Sequence, residues 1–407
     1  MGRRRLFLLS LFLISGLVSC QVSFLERRDT RSAPLEIIYF STATAKPTSN
    51  PAPAPSPTPA TSHLTATVWK EEPQVPILMY HRFNPQAGQN ASSFMIHLSE
   101  FDDHLIRLYD AGFALVALND WIQGTIHLPE GKRPLIITID DLWYADQISL
   151  DENGNPATYS GVGRLWQFSQ QHPDFGFHAA LFYNFGDKAF ANKYADGSFY
   201  VEDGWRKDRA DTIAWCIENG AIPMNHFYNH PFLDELTPAE IRWELEENDA
   251  ALREALSLVG KETLAKSLPN ILALPYVVWP VTDAGKQVLF DYISPEGSPV
   301  TAILEADYAD QAKLFPSPYS SDFDPWHVPR INATWDAINV IIEMSSDLPK
   351  ASQCDLGTIS LEAHLYSNQV MQAILERVEG GRCATGLYIV GDLAFQADET
   401  HIIQVSP

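Results

Sequence analysis

The run from Leu135 to Ile139 is the sequence feature that most restricts the fold. It is continuous, apolar and rich in β-branched residues, which is typical of a parallel strand that is buried on both faces. Neighbouring parallel strands need long crossover connections, and these are usually helices. The run therefore favours an α/β architecture.

Strand candidates recur along about 300 residues, and helical stretches lie between many of them. The other strand candidates are 76–80, 114–118, 177–182, 221–224, 271–274, 300–304, 357–361 and 387–390. The clearest helical stretches are 238–258 and 370–378. This alternation predicts one α/β barrel or one doubly wound sheet.

The amino terminus has the pattern of a signal peptide, which we place at residues 1–19. Three arginines precede an apolar stretch at 6–18, which is shorter than the roughly 20 residues that a membrane span needs. The stretch ends in Leu-Val-Ser-Cys and resembles a bacterial lipobox, so we expect Cys20 to be lipidated. An ordinary secretion signal followed by a chance cysteine is the alternative.

Residues 20–73 are predicted to form a disordered tether. Six prolines lie between residues 41 and 66 among Ala, Ser and Thr, and Lys46 is the only charged residue there. Such a composition forms a semi-rigid spacer and no packed core. We therefore assign one folded domain to residues 74–400.

The net charge of the chain is −23, from 51 acidic and 28 basic side chains. A nucleic-acid-binding protein needs a basic surface, so this class is excluded. Charge-driven docking on anionic lipid is disfavoured for the same reason. We expect an exported protein that is held at a membrane by its lipid and faces the outside or the periplasm.

Asp140 and Asp141 directly follow the buried run. Two adjacent carboxylates at the end of a buried strand are costly unless something compensates their charge, and a divalent cation would do so. Active groups of α/β proteins lie at the carboxyl ends of the strands. The alternative is that both side chains simply face solvent in a loop.

The strand candidate at 221–224 is followed by a second polar segment. His226 and His230 have the i, i+4 spacing that can direct two imidazoles at one ion. Pro231 comes next, so the segment is a turn or loop. Two imidazoles and one carboxylate leave coordination positions open, which is a catalytic and not a closed structural arrangement.

Taken in order, these segments resemble the polysaccharide deacetylase family, also known as the NodB-homology or carbohydrate esterase family. Residues 75–81 resemble its opening strand, 138–142 its Thr-Phe-Asp-Asp-Gly motif, 225–231 its Asn-His-x-x-x-His-Pro motif and 272–276 its Arg-x-Pro-Tyr segment. The resemblance extends from about residue 74 to 395. It implies a distorted (β/α)7-type barrel of the glycoside hydrolase/deacetylase kind, with a divalent metal that is often zinc.

The resemblance also implies roles for single residues. Asp141, His226 and His230 match the metal ligands, and Asp140 matches the general base. The backbone amide at Tyr276 aligns with a group that holds the oxyanion. The implied reaction removes N-acetyl or O-acetyl groups from a polysaccharide such as peptidoglycan or an exopolysaccharide.

His364 is the best sequence candidate for the acid that protonates the leaving amine; a surface or core histidine is the alternative. Trp143 is an aromatic candidate for lining a sugar site, with core packing as its alternative. Tyr144, Trp279 and Trp326 are further candidates of the same kind.

Three positions depart from the family pattern. Leu142 replaces the motif glycine, which is costly if the turn needs a positive φ. Ala273 stands where the family has an arginine that orients the base, and Arg330 is a candidate replacement or a structural residue. Ala363 precedes His364 where the family has Leu-x-His.

Cys354 and Cys383 each precede a late strand candidate and can pair in an exported protein, whereas Cys216 has the context of a buried apolar thiol.

The first hypothesis is thus a metal-dependent deacetylase. A catalytically impaired glycan-binding protein on the same barrel and a glycosidase with paired carboxylates are the alternatives.

Overall fold

The computed structural model describes residues 60–85, 94–186, 202–306, 313–360 and 363–407. The predicted signal peptide, the lipidation at Cys20 and the tether up to residue 59 lie outside these residues and stay predictions. Among the described residues, no helix combines the length and the apolar character that crossing a bilayer requires.

The described residues form strands and helices that alternate over most of the chain. The strands are β1 Thr61–Trp69, β2 Gln74–Val75, β3 Ile77–Tyr80, β4 Arg82–Asn84, β5 Met95–His97, β6 Phe113–Leu115, β7 Arg133–Leu142, β8 Ala179–Tyr183, β9 Ala221–Asn225, β10 Ile271–Ala273, β11 Ala302–Leu304, β12 Phe315–Pro316, β13 Ile331–Asn332, β14 Ser352–Ser360, β15 Gly386–Val390, β16 Leu393–Ala397 and β17 Ile402–Val405. The helices are α1 Leu98–Asp110, α2 Leu118–Ile122, α3 Gly161–Gln171, α4 Glu202–Asn219, α5 Pro238–Leu258, α6 Asp283–Phe290, α7 Trp335–Met344 and α8 Ala363–Glu379.

Seven parallel strands form a curled sheet in the order β11-β10-β9-β8-β7-β3-β13, and β6 pairs with the first half of β7. The two ends of the sheet meet where Leu304 of β11 forms a parallel bridge with Val328, just before β13. The Val328 amide donates to the Ile303 carbonyl at 3.0 Å. The distorted (β/α)7-type barrel that the sequence predicts is therefore confirmed.

The buried faces of the elements follow the sequence pattern. In β7 the first eight residues are all buried, as the apolar run predicts. Helix α5 matches the predicted range 238–258. It begins with a capping box in which Thr237 and Glu240 satisfy each other's backbone amides. Its apolar side, including Ile241 and Leu245, faces the core.

A second, antiparallel sheet in the order β14-β1-β15-β16-β17 was not expected from the sequence. Strand β1 is hydrogen-bonded to β14 on one side and to β15 on the other. Because β1 is Thr61–Trp69, the prediction that the tether reaches residue 73 is wrong in its last part. The cross-strand pairing with residues 352–360 outweighs the spacer-like composition just before it.

The cysteines behave as their sequence context indicates. Cys354 of β14 and Cys383, which follows α8, form a disulfide. Cys216 of α4 is fully buried, and burial raises the pKa of its thiol well above the usual value.

Candidate metal centre and active site

A pocket of about 260 Å³ lies where the carboxyl ends of the barrel strands meet. The strands β3, β7, β9, β10 and β11 each bring residues to it from their last few positions or from just beyond them. The residues that line it are Met79, His81, Phe94, Asp140, Asp141, His226, His230, Leu274, Tyr276, Val277, Ala306 and Arg330.

The three predicted metal ligands converge in this pocket. Oδ1 of Asp141 lies 3.2 Å from Nε2 of His230 and 3.6 Å from Nε2 of His226. Two ligands about 2.1 Å from one ion lie about 3.4 Å apart at a tetrahedral angle. The donor atoms are therefore spaced as ligands of a single divalent ion, and their N and O chemistry suits zinc.

The surroundings of His226 prepare it to bind a cation. Its Nδ1 donates to the carbonyl of Ala273 at 2.8 Å, which leaves the lone pair of Nε2 directed toward Asp141. Burial, helped by His230 and Arg330, lowers the pKa of His226 to about 3, although Asp140 acts in the opposite direction. The imidazole is thus neutral at ordinary pH, as a ligand must be.

Asp140 and Arg330 form a buried ion pair beside the ligands. Nη1 of Arg330 lies 2.6 Å from Oδ1 of Asp140, and both side chains are almost fully buried. The other oxygen, Oδ2, lies 3.8 Å from Nε2 of His226. Burial alone would raise the pKa of Asp140, but the charge of Arg330 and the contributions of His226 and His81 keep it below its usual value.

Arg330 thereby contacts the aspartate that the family pattern pairs with an arginine at position 273. Its Nε also donates to the carbonyl of Glu305 at 3.1 Å, which fixes the guanidinium. Ala273 has no side chain that reaches Asp140, but its carbonyl holds His226. The structure thus brings Arg330 to Asp140; its role there stays a prediction.

The irregular end of β7 differs from the turn that a motif glycine would imply. The positive φ, 59°, belongs to Asp141, and Leu142 is not among the described residues with positive φ. Aspartate tolerates this conformation better than most residues. Leu142 is fully buried in the core, so the cost expected from replacing the glycine does not arise at that position.

Tyr276 lies at the rim of the pocket in a 3-10 turn that follows β10. Its φ is 53°, and its side chain is about half exposed. The ring stacks on Phe232 with centroids 4.0 Å apart and approaches the ring of His230 at 4.4 Å. The pair presents an aromatic face beside the ligands.

Trp143 does not line this pocket. Its indole nitrogen donates to Thr212 at 2.9 Å, and its ring packs on Phe185. The side chain borders a different cavity of about 650 Å³, together with Tyr144. Its predicted contact with substrate stays a prediction.

His81 is a pocket residue to which the sequence reasoning gave no role. Its Nδ1 is buried and has no hydrogen-bond partner among the described residues. Burial, with Arg330 and His230, lowers the pKa of His81, while Asp140 and Asp141 act in the opposite direction. The sequence contains a feature that predicts its position, because His81 directly follows β3, which ends at the same edge of the sheet as β7.

His364 lies elsewhere in the fold. It is in the first turn of α8, which follows β14 of the antiparallel sheet. Its side chain lies outside the described residues, so its proposed acid role is untested by the geometry.

Comparison with protein-family models and with curated proteins finds no match. Among solved structures, the chain is similar to the Streptococcus pyogenes deacetylase PplD in complex with acetate. The identity is 14%, the TM-score 0.42, and the match covers 67% of this chain and 98% of that chain. IcaB from Ammonifex degensii matches with 18% identity and a TM-score of 0.41, over 67% of this chain and 97% of that chain.

A CE4 family pseudoenzyme from Bacillus anthracis, BA3943, matches with 14% identity and a TM-score of 0.27, over 52% of this chain and 59% of that chain. In structure, the chain resembles polysaccharide deacetylases. At these scores the interpretation of the pocket rests on its own geometry.

Proposed function

We propose that this protein is a metal-dependent hydrolase that removes N-acetyl or O-acetyl groups from a cell-surface or extracellular polysaccharide. One observation carries the proposal. The ligand set Asp141, His226 and His230 lies beside a buried carboxylate, Asp140, whose charge Arg330 stabilises. A carboxylate next to an open metal site is the arrangement that activates water for attack on an acyl group.

When bound, a divalent ion such as zinc would acidify water and polarise the acetyl carbonyl. Asp140 takes the proton of the attacking water, because Arg330 keeps the carboxylate ionised and fixes its orientation. The backbone amide at Tyr276 is the proposed donor to the oxyanion. The bond between carbonyl carbon and nitrogen then breaks, acetate forms, and the amine receives a proton.

His81 is the best-placed described residue to supply that proton. It lines the same pocket, and its buried Nδ1 has no hydrogen-bond partner within the described part of the chain. The charges of Asp140 and Asp141 favour the protonated form of His81, and this is the form that can donate a proton to the leaving amine. The earlier candidate, His364, is the competing assignment.

The pocket also fits the small acetyl group. Its walls combine the polar cluster with apolar side chains, namely Met79, Leu274 and Ala306. An aromatic rim of Tyr276 and Phe232 is exposed to solvent, where a sugar ring can stack on it. These features support an acetylated polysaccharide as substrate, peptidoglycan or an exopolysaccharide included. Attachment through Cys20 would hold the enzyme at the membrane near such a polymer.

The test is metal analysis together with acetate release by the purified full-length chain. We expect about one zinc ion per chain and release of acetate from acetylated oligosaccharides. His226→Ala should abolish both. His401→Ala, which alters an exposed histidine far along the chain, should change neither. A wild-type chain that takes up no divalent metal would refute the proposal.

Two other outcomes identify the alternatives. Glycan binding that survives Asp140→Ala, without release of acetate, identifies a glycan-binding protein. New reducing ends in place of acetate identify a glycosidase.

A further inference from the structure

The loop that carries both candidate histidine ligands has an unfavourable backbone conformation. Phe227 and His230 have φ values of 62° and 52°, in the left-handed region that few residues other than glycine adopt. Such conformations persist only where the surrounding structure determines them. The contacts that hold the loop between Asn225 and His230 therefore decide whether its two imidazoles face Asp141.

Glu244, in the middle of α5, accepts hydrogen bonds from the second half of this loop. One oxygen accepts the backbone amide of Asn229 at 2.7 Å, and the other accepts Nδ2 of Asn229 at 2.8 Å. The backbone carbonyl of Glu244 also accepts the amide of Tyr228 at 3.1 Å. Asn229 immediately precedes His230, so these bonds fix the chain right before the ligand.

Asn248 holds the first half of the loop. Its Nδ2 donates to Oδ1 of Asn225 at 2.9 Å and to the carbonyl of Tyr183 at 2.7 Å. The same Oδ1 of Asn225 accepts the amide of Phe227 at 2.9 Å. This last bond closes the tight turn in which His226 lies.

Glu244 and Asn248 are one helical turn apart, so they lie on the same face of α5. That face is otherwise apolar, with Ile241, Leu245 and Leu252 buried around them. Both polar side chains are nearly inaccessible, at 5% and 0% exposure. Burying a carboxylate and an amide is unfavourable unless their hydrogen bonds are made, and most of these bonds are made to the ligand loop.

We propose that Glu244 and Asn248 are positioning residues that hold the loop from Asn225 to His230 so that both imidazoles face Asp141. Neither lines the pocket, so they act through the loop and not on substrate. The inference rests on the metal site of the proposed function. It adds that the helix behind the site, and not only the ligands, sets the affinity for metal.

The test measures the zinc affinity of the full-length chain by competition with a chromophoric chelator. We expect Glu244→Ala to weaken zinc binding about 10- to 100-fold, as is typical when a residue behind a metal ligand is lost. Glu244→Gln should bind zinc nearly as the wild type does. The glutamine oxygen can accept the backbone N–H of Asn229, and its NH₂ group can donate to Oδ1 once the side-chain amide of Asn229 has rotated by about 180°. Rescue by Gln points to hydrogen bonding and not to the negative charge.

The matched control is Glu246→Ala. Glu246 lies on the same helix but is exposed and pairs only loosely with Arg242, at 3.9 Å. We expect no change in zinc affinity there. Circular dichroism of each variant confirms that the barrel is folded before its affinity is read.

If Glu244→Ala does not fold, Asn229→Ala serves instead, because it removes only the side-chain half of the contact. A several-fold loss of zinc affinity in the folded variant supports the inference. Wild-type zinc affinity in Asn229→Ala or in folded Glu244→Ala overturns it and leaves the proposed function standing. Weakened zinc binding in a chain that releases no acetate from any substrate supports the inference while the proposed function fails.

Discussion

The barrel and the five-stranded antiparallel sheet differ in what they contribute to this molecule. All parallel strands end at the same edge, so residues far apart in sequence, such as His81, Asp141 and His230, meet in one pocket. In the antiparallel sheet neighbouring strands end at opposite edges, and none of its residues lines that pocket. Its strand β14 contains Cys354, which is linked by a disulfide to Cys383 in the segment before β15. The difference predicts that the barrel determines chemistry and that the antiparallel sheet determines stability.

The largest expected effect concerns the proton donor. We expect His81→Ala to lower the rate of acetate release about 10²- to 10⁴-fold, the usual contribution of a general acid, with zinc content retained. His364→Ala should leave the rate within about twofold of the wild type. Steady-state kinetics of both variants on one acetylated oligosaccharide is the measurement. A large loss of rate in His364→Ala together with a near wild-type rate in His81→Ala would assign the acid to α8, which follows β14. The chemistry would then not be confined to the barrel.

The next effect concerns stability alone. Replacing Cys354 and Cys383 together by alanine removes a link that closes a loop of 29 residues. We expect a loss of about 3–4 kcal/mol in the free energy of unfolding, measured by chemical denaturation. Zinc affinity at 25 °C should be unchanged, because β14 belongs to the antiparallel sheet, whose residues do not line the pocket. A parallel loss of zinc affinity would show that the two regions are coupled.

The smallest effect is a pH dependence that the barrel alone should show. Burial lowers the pKa of His226 to about 3 and that of His104, in α1, to about 4. Below the unfolded pKa of about 6.5 the unfolded chain binds protons that the folded chain rejects, so stability falls as pH falls. Each imidazole should contribute about 1.4 kcal/mol per pH unit between about pH 6 and pH 5, and the contribution of His104 should level off as the pH approaches 4.

Denaturation of the chelator-treated protein at several pH values measures this slope. His104→Phe should lower this slope by the equivalent of about one bound proton, since the His104 side chain is fully buried. A slope that is the same in His104→Phe and the wild type would mean that this imidazole titrates normally.

The parts of the fold that were predictable are those whose signal is local. Helix α5 lies at its predicted bounds, and the structure shows that the features that define its start, the capping box and Pro238, are local in sequence. The convergence of Asp141, His226 and His230 was also predictable, because each follows a recognisable strand. Parallel strands end at the same edge of a sheet, so residues at their carboxyl ends can be placed near one another from the sequence alone.

The parts that were missed depend on contacts between distant segments. Strand β1 follows a proline-rich stretch and becomes a strand only through pairing with β14, almost 300 residues later. Arg330 is a sequence candidate for contacting Asp140, but it precedes a strand of only two residues, so nothing local distinguishes that role from a structural one. His81 is different, because it directly follows β3 and its place at the edge where the strands end is predictable from the sequence alone.

The central position of β1 has a mechanical consequence. The described fold begins with β1, which pairs with β14 along most of its length and with β15 at its last three residues. Tension applied through the amino terminus acts along this strand and loads its hydrogen bonds to β14 together, in shear, where a strand at the edge of a sheet would peel away bond by bond. The disulfide fastens β14 to the segment behind α8, so part of the load passes into a covalent bond. As long as β1 holds, a pull on the amino terminus is borne by the antiparallel sheet, and the barrel stays outside the path of the force.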